Sequence, residues 1–393
     1  MCQATAVRGA AFDAIVIGAG IIGASCAYHL ASTGASVAVF DRGWVAGGTS
    51  GAGEGNILVS DKEPGPELEL ALLSNSLWRE LAADLEQPIE LELKGGLVVA
   101  ASTQALAVLN AFAAAQRAVG VEAVAVSPAD LGELEPNISG ELAGGVLYPQ
   151  DMQVHPMLAT SHLLIAARRR GAHLSTGCEV TEISRGASGR VSGVKTSQGS
   201  FSAPIVINAA GTSAGAVADR AGLKLPLLPR RGFILVTEPL PHTIHHKVYT
   251  ADYVTSVASS DEGLQTSTVV EGTQSGTILI GATRERVEFD TSVSWEALGA
   301  IAAGATALFP FLAETRALRA YCGFRPYCAD HLPVIGHDPR LPGLIHACGH
   351  EGAGIGLAAA TGLLVAQAAT GRPTDIPLDR FAPSRFDQPS TRA

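Results

Sequence analysis

A chain of 393 residues is long enough for one large unit or two intimately joined domains with ample core. Apolar residues make up 47% and charged residues 16%, the balance of a soluble protein with much buried surface. A net charge of −10 argues against nucleic acid or an anionic membrane surface as the main partner.

Residues 1–12 lack an apolar core segment and read as a loose tail rather than a signal peptide. The apolar run Ala14–Ile17 reads as a buried strand, and Ile22–Ala31 as the first turns of a helix. Between them stands Gly18-Ala19-Gly20-Ile21-Ile22-Gly23, and the next apolar run, Ser36–Phe40, ends on Asp41. Strand, glycine turn, helix, strand and acid in that order form a βαβ unit with a dinucleotide fingerprint. Gly18 makes the tight turn, Gly20 lets the backbone approach a pyrophosphate, and Gly23 lets helix and sheet pack closely. The helix N-terminus offers free N–H groups to phosphates, and Asp41 is placed to accept a bond from a ribose hydroxyl.

Further along, Gly47–Gly53 is a second loop of small residues. Leu97–Ala101 reads as a strand, Thr103–Val119 as an alanine-rich helix and 121–148 as a loop-rich return. The helix Met157–Arg170 ends in three arginines that suit a solvated cap. A strand follows around Val180–Ile183, then a hairpin through 189–199, and then Ala203–Asn208, ending in Asn208-Ala209-Ala210-Gly211. Gly232–Thr237, Thr250–Val257, Leu264–Val270 and Thr277–Ala282 alternate as strands do, and Ser294–Leu308 reads as an amphipathic helix. Gly349–Gly356 is a glycine-rich turn ahead of Ile355–Ala369, an apolar stretch too short for a bilayer and best read as a buried helix.

The pattern predicts an α/β class, α+β overall: a Rossmann-type nucleotide domain interrupted twice by a mainly antiparallel sheet domain. The expected nucleotide segments are 12–93, 150–222 and 323–383, and the expected sheet segments are 94–149 and 223–322. Six cysteines, Cys2, Cys26, Cys178, Cys322, Cys328 and Cys348, are scattered without metal-site spacing. Reduced thiols, a cytoplasmic location and no metal are therefore expected. The loop at 47–53, the Ala210-Gly211 strand end and the turn at 349–356 together favour a cofactor longer than NAD.

These features resemble the D-amino-acid oxidase superfamily of flavoenzymes, in its glycine oxidase, sarcosine oxidase and D-amino-acid dehydrogenase branch. The resemblance covers residues 12–383. It is carried by the fingerprint, by Asn208–Gly211, Gly323-Phe324-Arg325-Pro326 and Asp330–Gly336, and by Gly349-His350. The stretches Thr49–Asn56, Arg284-Glu285 and Gly349–Leu357 look most like one subgroup. It holds D-hydroxyproline dehydrogenase, an opine oxidase component and the large component of hydrogen cyanide synthase.

The resemblance implies a glutathione-reductase-type FAD domain, a substrate domain whose sheet covers the flavin, and oxidation of a C–N bond α to a carboxylate. Oxidation of this kind sends a hydride to the cofactor and needs chiefly positioning and a fixed cation for the carboxylate. Along the cofactor it implies Gly18, Gly20, Ile22, Gly23, Asp41, Arg42, Thr49, Ser50, Val180, Ala210, Gly211, Gly323, Gly352, Gly354 and Ile355. At the substrate it implies Arg325, in a turn before the flavin-facing helix, because a guanidinium fork fits a carboxylate.

Tyr249 and Tyr253 are candidates for a second substrate contact, or core residues. His350 either meets flavin or substrate, or is structural. Glu351 stands where glycine oxidases carry an arginine, and reads either as a contact to a cationic or hydroxylated substrate or as a helix cap. Arg284 with Glu285 is expected as an ion pair within the sheet domain, and Arg231 as structural. Cys322 lies near the place where sarcosine oxidases bind flavin covalently, yet the following Arg-Pro matches the non-covalent branch, so non-covalent FAD is expected. The favoured substrate is hydroxy-D-proline; the alternatives are an opine, a D-amino acid or glycine, or a role as the flavin-bearing subunit of a multi-subunit dehydrogenase. The subgroup adds electron-accepting partner subunits.

Overall fold

The computed structural model describes residues 10–253 and 259–386. Its first layer is a six-stranded sheet in the spatial order Val334–His337, Leu344–Cys348, Ile205–Asn208, Ala14–Ile17, Val37–Phe40 and His173–Ser175. All neighbours run parallel except the first pair. Such a sheet is covered on both faces, which explains why Ala14–Ile17 and Val37–Phe40 are buried along their whole length. The helices Ile21–Ser32, Pro156–Arg169 and Gly354–Ala369 cover one face. A three-stranded antiparallel sheet, residues 180–202, and the short helix Ala214–Asp219 close the other.

The helix Gly354–Ala369 packs against Ile21–Ser32 and against Pro66–Asp84. Its apolarity therefore serves the core: Ala358, Ala359, Ala360, Leu364 and Val365 have no exposed surface. Gly362 meets Ser25 so closely that a Cβ there has no room.

The second layer is an eight-stranded sheet in the order 317–328, 227–237, 278–284, 265–272, 247–250, 96–100, 144–148 and 124–126. It is antiparallel apart from the pair Lys247–Thr250 with Gly96–Ala100. The helix Trp295–Leu308 packs on one face, through Ala297, Leu298, Ile301 and Ala305. The opposite face looks toward the nucleotide layer.

Two expectations are corrected here. The strand placed at Thr250–Val257 is instead Lys247–Thr250; the chain leaves the sheet after Thr250, and residues 254–257 lie outside the described residues. Val248-Tyr249-Thr250 is as β-prone as the stretch chosen, and pairing with Gly96–Ala100 selects it. Secondly, Arg325 sits inside the twelve-residue strand Ala317–Cys328 and not in a turn, so this strand runs across the boundary expected at 323. Its partner Leu227–Thr237 registers with it through Leu227 to Cys328, and pairing of that length overrides the local Pro326 signal.

Candidate active site

A cavity of about 640 Å³ lies between the two layers. The fingerprint turn forms one end. Gly18 has φ +112°, a region that favours glycine, and a Cβ there would overlap the Ala209 carbonyl oxygen. Gly23 does not line the cavity; it lies against the Gly18 carbonyl, which is the close helix–turn packing expected of it. Gly20 does line the cavity, and the Ser50 hydroxyl accepts a bond from the Ile21 N–H at 2.9 Å, relieving one unsatisfied donor of the helix start.

Asp41 accepts from Ala19 N–H and Gly43 N–H, both at 2.7 Å, so backbone donors fix its carboxylate at the cavity wall. Arg42 donates to the Ser213 hydroxyl at 3.0 Å, tying the first acidic turn to the Ala210-Gly211 strand end. Thr49 donates to the Phe324 carbonyl at 2.6 Å and Ala52 abuts Gly323, so the small-residue loop is clamped to the long strand. Ile22, Val180, Ala210, Gly211, Gly323, Gly352, Gly354 and Ile355 line the same space. A cleft bounded by Cβ-free backbone and by two helix starts, Ile21–Ser32 and Gly354–Ala369, suits the pyrophosphate and the extended shape of FAD.

The other end is cationic. Arg325 Nη1 donates to the Thr283 carbonyl at 2.9 Å, and its guanidinium lies across Gly232, where a Cβ would collide with it. Burial, and then the neighbouring charge of Arg284, lower its pKa to about 10. Arg284 lines the cavity, stacks 4.7 Å from the ring centre of Tyr253 and meets the Ser267 hydroxyl at 3.3 Å. Tyr253 lines the cavity as well.

Tyr249 does not. It is fully buried behind Tyr253, edge-on at 4.9 Å, with its hydroxyl bonded to Ser60. The core reading holds for Tyr249, since its strand position turns it away from the open space.

His350 lines the cavity and shares a 3.0 Å bond between Nε2 and the Thr361 hydroxyl. That hydroxyl already donates to the Leu357 carbonyl at 2.8 Å, so His350 is the donor and carries its proton on Nε2. Burial lowers its pKa to about 3, which keeps the ring neutral.

Glu351 also lines the cavity, but both its oxygens are engaged, one by Arg230 at 2.7 Å and the other by His331 at 3.1 Å. It makes no capping bond, because the backbone at Glu351 has φ +47° and aims the side chain at the sheet layer. The expected Arg284–Glu285 pair is likewise corrected. Glu285 pairs with Arg231 at 2.9 Å, and Arg231 also holds Asp290; consecutive strand residues point to opposite faces.

Several lining residues had no role in the sequence reading. Glu54 is buried; one oxygen accepts from Asn56 at 3.1 Å and lies 3.8 Å from Lys247, while the other has no partner. Lys62 is buried and bonds Asp61 at 2.7 Å; burial works against its charge, but Asp61 and Glu67 outweigh burial and hold the proton on. Glu54 lay within the stretch Thr49–Asn56, so the signal was present without its meaning. Cys322 is packed with the cluster under the helix Trp295–Leu308, on the far face of its strand from Gly323 and Arg325.

The two-layer architecture and the glycine-bounded cleft define a dinucleotide-dependent oxidoreductase. Residues 13–368 match the DAO family, FAD-dependent oxidoreductases, and the chain belongs to that family. It is an enzyme that uses FAD. Glycine oxidase from Geobacillus kaustophilus is 30% identical over 95% of this chain and 97% of its own length. The crystal structure of glycine oxidase from that organism superposes with a TM-score of 0.86, covering 96% of this chain and 99% of the other at 28% identity. Hydrogen cyanide synthase subunit HcnC from Pseudomonas aeruginosa is 28% identical over 97% of this chain and 98% of its own length.

Proposed function

We propose that this enzyme oxidises the C–N bond α to the carboxylate of an amino or imino acid. The observation that carries the reading is Arg325, a half-buried guanidinium facing the cavity two residues along one strand from Gly323, which closes on the cofactor-side loop. Its fork binds the substrate carboxylate and so sets the position of the α-carbon. Bound FAD supplies the acceptor for the hydride that leaves that carbon.

The protein's own part is positional. Arg325 anchors, Tyr253 walls the pocket, and neutral His350 presents no competing charge. The glycines of the fingerprint bring backbone N–H groups to the cofactor phosphates. The name of the glycine oxidase relative supports an amino-acid substrate. The resemblance at 49–56, 284–285 and 349–357 supports hydroxy-D-proline first and an opine second. The name of the HcnC relative, which is one component of a larger synthase, supports electron transfer onward to partner subunits as well as to oxygen.

The test is anaerobic mixing of the purified yellow protein with cis-4-hydroxy-D-proline, then with an opine, then with glycine and D-alanine, followed by air. Bleaching by any of these carries the reading, and the acid that bleaches fastest names the substrate. The speed at which colour returns in air separates an oxidase from a dehydrogenase. Colour that survives all of them removes the amino-acid reading and leaves the fold and cofactor in place.

A further inference from the structure

We propose that Arg284 is a second anion-binding contact and that the substrate is an amine carrying two carboxylates. The inference rests on reading Arg325 as the anchor of the first carboxylate.

Arg284 is 4% exposed and lines the cavity, yet no carboxylate among the described residues forms an ion pair with it. Its hydrogen bond to the Ser267 hydroxyl is long, at 3.3 Å. The acids nearby are taken: Glu285 by Arg231, Glu351 by Arg230 and His331, Asp61 by Lys62, and Glu54, whose charge also reaches Arg325, by Lys247 at 3.8 Å. Arg325 has no ion pair either; its bond goes to a backbone carbonyl. Two guanidinium groups, Arg284 buried and Arg325 half-buried, thus face one cavity with no ion pair to either, close enough for one to disfavour the charge of the other; the charge of Glu54 offsets only part of this.

A cation set in a largely enclosed cavity wall without an ion pair is destabilised by lost solvation, so two side by side point to an anionic ligand that completes them. A single carboxylate neutralises one. A ring hydroxyl would accept one hydrogen bond from the second but leave its charge unneutralised, whereas a carboxylate takes both prongs of the fork and neutralises it. The second carboxylate is therefore the better complement, so the charge of the cavity reverses the order given by the resemblance and favours an N-carboxyalkyl chain over a hydroxylated ring. Stacking on Tyr253 holds the plane of the Arg284 fork, which lowers the ordering cost of binding.

The experiment reads binding as well as turnover. The holoenzyme is titrated with malonate, succinate and glutarate and with monocarboxylates of the same chain length, following the perturbation of the bound flavin's spectrum. At least one dicarboxylate should bind about tenfold or more tightly than its monocarboxylate, as expected for an added charge-assisted contact. Arg284→Met should reduce that ratio to about twofold or less, and Arg284→Lys should restore part of it. Thermal unfolding of each variant checks that it is folded. In turnover, iminodiacetate should be preferred to sarcosine, with the difference appearing in KM.

Binding of monocarboxylates with no gain from the second carboxylate, or an unchanged ratio in folded Arg284→Met, overturns the proposal and leaves Arg325 as the anchor. If neither kind of acid perturbs the flavin, the reading of Arg325 falls together with it.

Discussion

The guanidinium of Arg325 crosses the neighbouring strand over Gly232 and ends 2.9 Å from the Thr283 carbonyl. One residue's lack of a side chain is what allows the other to reach the cavity. Gly232→Ala should push the fork off its seat and raise KM about tenfold or more, and Arg325→Lys should do the same through loss of the two-pronged contact. Steady-state kinetics with the preferred acid decide it. A normal KM in both variants would remove Arg325 from the site.

Gly18→Ala and Gly23→Ala each place a methyl group against backbone, at the Ala209 and Gly18 carbonyls respectively. Both variants should be purified largely colourless, with FAD affinity at least about tenfold weaker, because the turn that carries the phosphate-facing N–H groups must open. Gly299→Ala is the control: it lies in the helix Trp295–Leu308 with nothing within 4 Å of the new Cβ. It should stay yellow and gain about 0.5–1 kcal/mol of stability. Full colour in Gly18→Ala would contradict the cofactor reading of the turn.

Cys322 and Gly323 are adjacent on a strand and therefore face opposite ways, with Cys322 turned to the helix-covered side. Acid precipitation should release all the flavin into the supernatant, and Cys322→Ser should bind FAD as the parent does. Flavin that stays with the precipitated parent and is freed by Cys322→Ser would overturn the non-covalent assignment.

Burial lowers the pKa of His29 to about 4 and of His350 to about 3, from an ordinary 6.5. As pH falls below 6.5 the unfolded chain takes up protons that the folded chain refuses, so stability is lost from about pH 6.5 down toward 4. The depression at His29 corresponds to roughly 3 kcal/mol at most. Melting temperatures measured between pH 7 and 4.5 should fall, and His29→Gln should flatten part of the slope. An identical slope in the variant would assign the acid sensitivity to other groups.

Much of the nucleotide layer was legible in the sequence because it is local: Gly18, Gly20, Gly23 and Asp41 act within one βαβ unit, and their spacing is their geometry. The substrate end was less so. That Arg284 faces Tyr253 while Glu285 faces Arg231 depends on which side of a distant sheet each strand presents, and no window of sequence holds that register. The same reason hid Tyr249 behind Tyr253 and left Glu54 without a role. Glycines gave the clearest signals for backbone, and charged residues the poorest for partners.

The strand Ala317–Cys328 touches both halves of the proposed reaction, since Gly323 rests on Ala52 of the cofactor-side loop and Arg325 is the proposed anchor of the acid. Two residues of extended chain, about 7 Å, thus act as a covalent ruler between the two molecules that must exchange a hydride. Relative motion of the two layers can admit or release ligands without altering that spacing. Evolution of a new specificity on this scaffold can therefore proceed through the walls, at positions such as Arg284 and Tyr253, while the gauge stays fixed.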